Sequence, residues 1–140
     1  MSEAKSYFYS VLGQIQPLQR ARYSGGRFYD SQRHFKMLFS INLEMQHGKR
    51  ELFNGPIEMD ITFVMSIPNC HKKRRLEMLD SFHRFKPDLD NQIKMLLDCC
   101  NQSLVSDDCI ISSIVARKIY GDSPRTDFTI IPLLGKYVKT

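Results

Sequence analysis

Nine consecutive residues, Lys86-Pro-Asp-Leu-Asp-Asn-Gln-Ile-Lys94, hold the densest potential chemistry in the chain. Asp88 and Asp90 lie two positions apart, Asn91 follows, and Lys94 comes one helical turn after Asp90. A second acidic pair, Asp107-Asp108, follows after a short helix's length. Carboxylates beside a lysine suit one task well: holding a divalent cation against a phosphate.

Pro87 biases Lys86 toward extended backbone, so a helix is expected to begin after it. Asp88 or Asp90 can cap that helix. Asp90 and Lys94 are spaced i, i+4 and Asn91 and Lys94 i, i+3, so all three can share one end of one helix face. Asp88, in extended backbone, can converge on the same point. Asp107 and Asp108 are read at a loop-to-strand junction, where neighbouring side chains point to opposite faces. One of them then aims at the first pair, while the other supports it or caps. Gathered carboxylates repel one another unless a cation is present. Magnesium, with manganese as a substitute, would take one or two of them together with water and phosphate oxygens. The plainer alternative is that Asp-Leu-Asp-Asn is a helix cap and Asp-Asp an ordinary turn. Spacing alone leaves both open.

The elements that must position these residues are legible in outline. Tyr7 to Ile15 is expected to form a strand, with aromatic and β-branched residues and no breaker until Gly13. Arg20 to Tyr29 reads as a hairpin turning at Ser24-Gly25-Gly26. Asp30 or Ser31 can cap a helix running to about His47, with Phe35, Leu38, Phe39, Ile41 and Met45 as its core stripe and Gly48 ending it. From Pro56 to Pro68, Ile57, Met59, Ile61, Phe63, Met65 and Ile67 alternate with mostly polar residues, the pattern of a strand with one buried face. Asn69 to Phe85 reads as a polar, basic loop. Leu89 to about Gln102 is predicted helical, with Ile93, Leu96, Leu97 and Cys100 inward. Asp108 to Tyr120 and Thr126 to Leu133 are predicted strands. This order gives a single α+β domain over residues 1–140, a small mixed β-sheet with helices packed against it.

Composition agrees with a globular chain: 140 residues, 42% hydrophobic and 25% charged. No apolar run is long enough to span a membrane, and the first residues lack a signal-peptide core, so a cytoplasmic location is expected. Cys70, Cys99, Cys100 and Cys109 include no CxxC pair, which argues against structural zinc and for reduced, mostly buried thiols. The net charge of +5 hints at a polyanionic partner.

The residues Lys86 to Lys94, then Leu96-Leu-Asp98, Asp107-Asp108 and Lys118-Ile-Tyr120, resemble the RusA family of Holliday junction resolvases. The likeness extends to Arg20, Arg22, Gly26 and Tyr29, and to Ser66-Ile-Pro68 followed by Lys72 to Arg75 and His83. Gln92 departs from it, standing where an apolar residue is usual. The resemblance implies a RusA-like fold and a homodimeric, magnesium-dependent endonuclease that resolves four-way DNA by paired nicks, with no small-molecule cofactor. By position it implies Asp88, Asp90 and Asp108 as metal ligands and Lys94 as the catalytic lysine. Asn91 and Asp107 stand as supporting residues.

Between His71 and Lys86 there are six Lys or Arg and two acids. A basic stretch beside acids that hold a cation is what a phosphate backbone needs. Lys72, Lys73, Arg74, Arg75 and Lys86 are therefore candidate DNA contacts, with Arg20 and Arg22 in the hairpin and Lys118 on a strand. Phe82 and Phe85 read as anchors of the basic loop, with wedging into an opened junction as the alternative. Two other functions fit the same residues: a non-catalytic DNA-binding protein, and a metal-dependent nuclease or phosphatase for another branched or single-stranded substrate.

Overall fold

The alternating segment after Pro56 does form a strand, and it runs through the middle of the sheet. The computed structural model describes residues 5–139; the reading of the extreme N-terminus falls mainly on residues 1–4, outside the described residues. In chain order the elements are β1 (Tyr7–Leu12), β2 (Arg22–Ser24), β3 (Arg27–Tyr29), α1 (Arg33–His47), β4 (Ile57–Ser66), α2 (Lys72–Met78), α3 (Leu89–Cys100), β5 (Ile111–Gly121) and β6 (Arg125–Pro132). A 3₁₀ turn over Asp108–Ile110 precedes β5.

The main sheet has the order β1-β6-β4-β5, antiparallel except for the parallel pair β4–β5. The α+β class with a mixed sheet is thus borne out. A parallel pair needs a crossover, and here the crossover carries α2, α3 and the 3₁₀ turn, hence both acidic motifs. Ile57, Met59, Ile61, Phe63 and Met65 of β4 are all buried, and they meet Tyr9, Phe128 and Ile130 with Leu43 of α1 and Met95 and Leu96 of α3 in one core. His47 is buried too. It is paired at both nitrogens, with the Tyr9 hydroxyl 2.8 Å from Nδ1 and the Glu51 carbonyl 2.9 Å from Nε2.

Several local expectations shift. The first strand ends at Leu12 rather than Ile15, before Gly13 at φ 95°. The Asp30 carboxylate accepts from the Gln32 amide at 2.9 Å and pairs with Lys36 at 2.7 Å, so it closes a turn and α1 starts later, at Arg33. Along α1, Phe39, Leu43 and His47 face the core while Leu38, Ile41 and Met45 are exposed. The rows i, i+4 and i, i+3 were both apolar, and packing chose the first. In α3 the buried row is Gln92, Met95, Leu96, Cys99 and Cys100, with Ile93 and Leu97 only half-buried. That is a strict i, i+3, i+4, i+7, i+8 stripe, missed because it begins on a polar residue. The expected basic loop contains a helix, α2, made of long straight-chain side chains that favour helix at little entropic cost. Cys99 and Cys100 are buried as expected, whereas Cys70 and Cys109 are exposed.

Candidate catalytic site and nucleic-acid interface

Asp88 is the residue at which α3 begins, in extended backbone, yet its carboxylate makes no capping hydrogen bond. It is held instead by the Lys86 ammonium at 2.9 Å. The plain cap explanation therefore fails for this side chain. Asp90 lies in the first turn of α3, with Lys94 3.9 Å away, and both side chains are more than half exposed. An exposed pair at that distance contributes well under 1 kcal/mol, so neither group is locked by the fold. Asn91 is tied down through its backbone: its carbonyl accepts from the Leu18 amide at 3.0 Å.

Asp107 and Asp108 do not sit on a strand. Asp107 caps the 3₁₀ turn, accepting from the Cys109 amide at 3.1 Å, and Asp108 is the first residue of that turn. The cap explanation holds for Asp107 and leaves Asp108 free of it. The Cys109 amide, then a hydrogen bond with Asp108, hold the Asp107 carboxyl below the usual range. Asp108 moves the other way, raised first by that hydrogen bond and then by desolvation and by the charges of Asp107 and Asp98. A carboxylate raised by acidic neighbours is one that a cation would relieve.

Asp98 was not singled out as a site residue, though the spacing Asp90, Lys94, Asp98 places it on the same α3 face. It pairs with Lys36 at 3.3 Å and is the acid from the helix that acts on Asp108. Among the described residues, no three His, Cys, Asp or Glu side chains are gathered to hold a metal ion. The arrangement is three separate pairings: Asp88 with Lys86, Asp90 with Lys94, and Asp107 with Asp108. Exposed oxygen donors match a hard cation chemically, but Asp88, Asp90 and Asp108 do not form one cage as they stand.

The basic residues differ in how far the fold already engages them. Lys72, Lys73 and Arg74 lie on the exposed surface of α2. Arg75 is partly occupied by Asp122 at 3.0 Å. Arg20 and Arg22 are exposed in the hairpin, whose turn uses Gly25 and Gly26 at φ 60° and 80° as a two-residue primed turn requires. The hairpin's base is fixed by a residue the sequence did not advertise. Gln32, buried, receives the Gln19 amide and donates to the Pro17 carbonyl, both at 2.9 Å. With Leu18 bonded to Asn91, this places the hairpin base against the start of α3. Lys118 is no free cation. Its Nζ donates to the carbonyls of Phe85 and Pro87, both at 2.7 Å. Phe82 and Phe85 are 76% and 59% exposed, so they are not buried anchors. The loop is anchored by backbone pairing to β5 and by His83, whose ring packs 4.8 Å from that of Tyr120. Burial, then the nearby Lys118 charge, push the His83 imidazole below its ordinary range.

Acids at the start of α3, a lysine one turn along it, an acid pair before β5 and exposed cations on α2 and the hairpin are thus all in place. Residues 12–131 match the family Endodeoxyribonuclease RusA. The uncharacterized protein YqaN of Bacillus subtilis (strain 168) is 26% identical over 103 residues, which cover 70% of this chain and 72% of that protein. With the match running from the end of β1 through nearly all of β6, and so across every element that carries the site, the chain belongs to the RusA family of endodeoxyribonucleases.

Proposed function

We propose that this protein is a magnesium-dependent, structure-selective endonuclease that resolves Holliday junctions by paired nicks in recombination and repair. The single observation that carries the reading is that Asp88 stands at the start of α3 without capping it. A helix-cap acid that declines to cap, next to a half-free Asp90–Lys94 pair, is available for work outside the fold. Asp88, Asp90 and Asp108 are the carboxylates that would hold the ion, with manganese as a substitute. When bound, the ion would supply positive charge at the phosphate and a more acidic water. Lys94, exposed one turn from Asp90, would meet the phosphate or the leaving oxygen, and Asp107 would orient Asp108 from its cap. Incubation with a synthetic four-way junction and magnesium tests the reading directly. Symmetric paired nicks are expected, and their absence with folded, junction-bound protein would sink it. No described helix is long and apolar enough to cross a membrane, in keeping with the cytoplasmic setting the reading assumes.

The exposed cations of α2 favour DNA as the polymer. Each phosphate contact removed should lower the salt dependence of binding by about 0.9 in log–log slope. Lys73→Ala with Arg74→Ala is therefore expected to flatten the slope by roughly 1 to 2 and to weaken junctions and linear duplex alike. An unchanged slope would place the DNA elsewhere.

A four-way junction is close to two-fold symmetric, and two nicks call for two sites, which a two-fold homodimer provides. The uncharged exposed face of α1, with Leu38, Ile41 and Met45 beside Leu12 of β1, is the surface best suited to a second copy. Ile41→Glu with Met45→Glu should convert a dimer to monomer in sedimentation velocity without loss of folding. A dimer that survives both charges would move the interface to another face.

A further inference from the structure

We propose that Lys118 is a positioning residue for the cleavage site, acting through the loop that delivers Asp88. This rests on the nuclease reading above for its consequence, though not for its geometry.

The residues after α2 run back along the edge of β5. The Asp80 amide donates to the Tyr120 carbonyl, the Tyr120 amide to Ser81, and the His83 amide to Lys118, each at 3.0 Å. That ladder stops at His83. Beyond it, backbone pairing gives way to a side chain: the Lys118 ammonium reaches the carbonyls of Phe85 and Pro87, both at 2.7 Å. These are the two residues flanking Lys86. Pro87 has no amide to donate, so the stretch is short of backbone donors just where it must turn into α3. One ammonium with three donors fastens both sides of Lys86 to the strand next door.

The consequence falls on Asp88. Its side chain does not cap α3, so no bond within the helix start orients its carboxylate. Its direction comes from the Lys86 ammonium and the backbone entering α3, and Lys118 holds that backbone at Pro87, the residue immediately before it. The same clamp sets where Lys86 starts, hence the 2.9 Å contact between Lys86 and Asp88. Lys118 thus uses its charge on backbone carbonyls, which explains why a basic residue on β5 beside a DNA-facing loop is half-buried rather than extended into solvent.

Lys118→Met keeps the length and removes the donors. With metal withheld, it is expected to bind a four-way junction with a Kd within about two-fold of wild type and with the same salt slope. Amides of residues 84–90 should exchange faster with deuterium in the DNA-free protein. Single-turnover cleavage should fall about 10- to 100-fold, the usual range for loss of a supporting contact behind a reactive group, and Lys118→Arg should restore most of it. Wild-type cleavage by Lys118→Met overturns the proposal. So does a salt slope lowered by about 0.9, which would make Lys118 a direct phosphate contact, or lost cleavage with unchanged exchange. Should the Met variant fail to fold, Lys118→Gln, which removes the charge and one of the three N–H donors, is read by the same measurements. If wild type cuts no four-way DNA, the nuclease reading fails, while the exchange data still decide whether the clamp exists.

Discussion

Asp90→Asn is expected to lower junction cleavage on the order of a thousand-fold, equivalent to about 4 kcal/mol of transition-state stabilisation, while leaving junction binding intact or tighter. Asp90 is exposed, and its ion-pair contact is Lys94 at 3.9 Å, so the substitution removes little from the folded state. Stability should stay within about 0.5 kcal/mol. DNA binding should gain from the loss of one negative charge near phosphates. Single-turnover cleavage and filter binding on the same junction, at one salt concentration, separate the two effects. Asp107→Asn provides the contrast, because an asparagine oxygen can still accept from the Cys109 amide and caps nearly as well. Its cleavage should fall far less. Equal activity of Asp90→Asn and wild type would return the acids to a structural role and favour a protein that only binds junctions.

The largest effect on stability is expected at Phe128→Ala. Phe128 is 1% exposed in β6, pairs with Tyr9 on one side and Ile61 on the other, and stacks on the Tyr9 ring at 5.2 Å. Truncation removes a buried aromatic and opens a cavity that three strands cannot easily close. The loss should be about 3–5 kcal/mol, a fall of roughly 10–20 °C in Tm for a domain of this size. Thermal unfolding followed by circular dichroism measures it. A loss under 1 kcal/mol would mean that this part of the core is loosely packed. The acidic site draws its residues from α3 and the 3₁₀ turn and none from β6, and should keep its activity below the lowered Tm.

The readings that held share one physical basis. The β4 strand was legible because a period of two is imposed by backbone geometry and needs no neighbour to be recognised. The hairpin turn was legible because Gly25-Gly26 supplies positive φ that few other residues adopt readily. Asp88, Asp90, Lys94 and the Asp107-Asp108 pair stand out as candidates because spacing along a helix or turn is local information. The misreadings have a different cause. α1 presents two apolar rows, and only contact with α3 and β1 decided that Phe39 and Leu43 go inward while Leu38 and Met45 stay out. In α3 the buried row starts on Gln92, whose amide finds Met65 Sδ at 3.3 Å, a partner 27 residues away. Phe82 and Phe85 were expected to anchor a loop that is in fact pinned by β5.

By itself, then, the sequence determined the fold class and the family and singled out candidate acids, because these depend on residue type and short-range period. Tertiary structure alone decided what each charged group is free to do. It showed that Asp107 is occupied as a cap and Asp88 is not, that Asp98 bears on Asp108, and that Lys118 spends its charge on two carbonyls across a strand. Those distinctions rest on hydrogen bonds between residues up to 33 positions apart, and no local pattern encodes a donor's choice among distant acceptors.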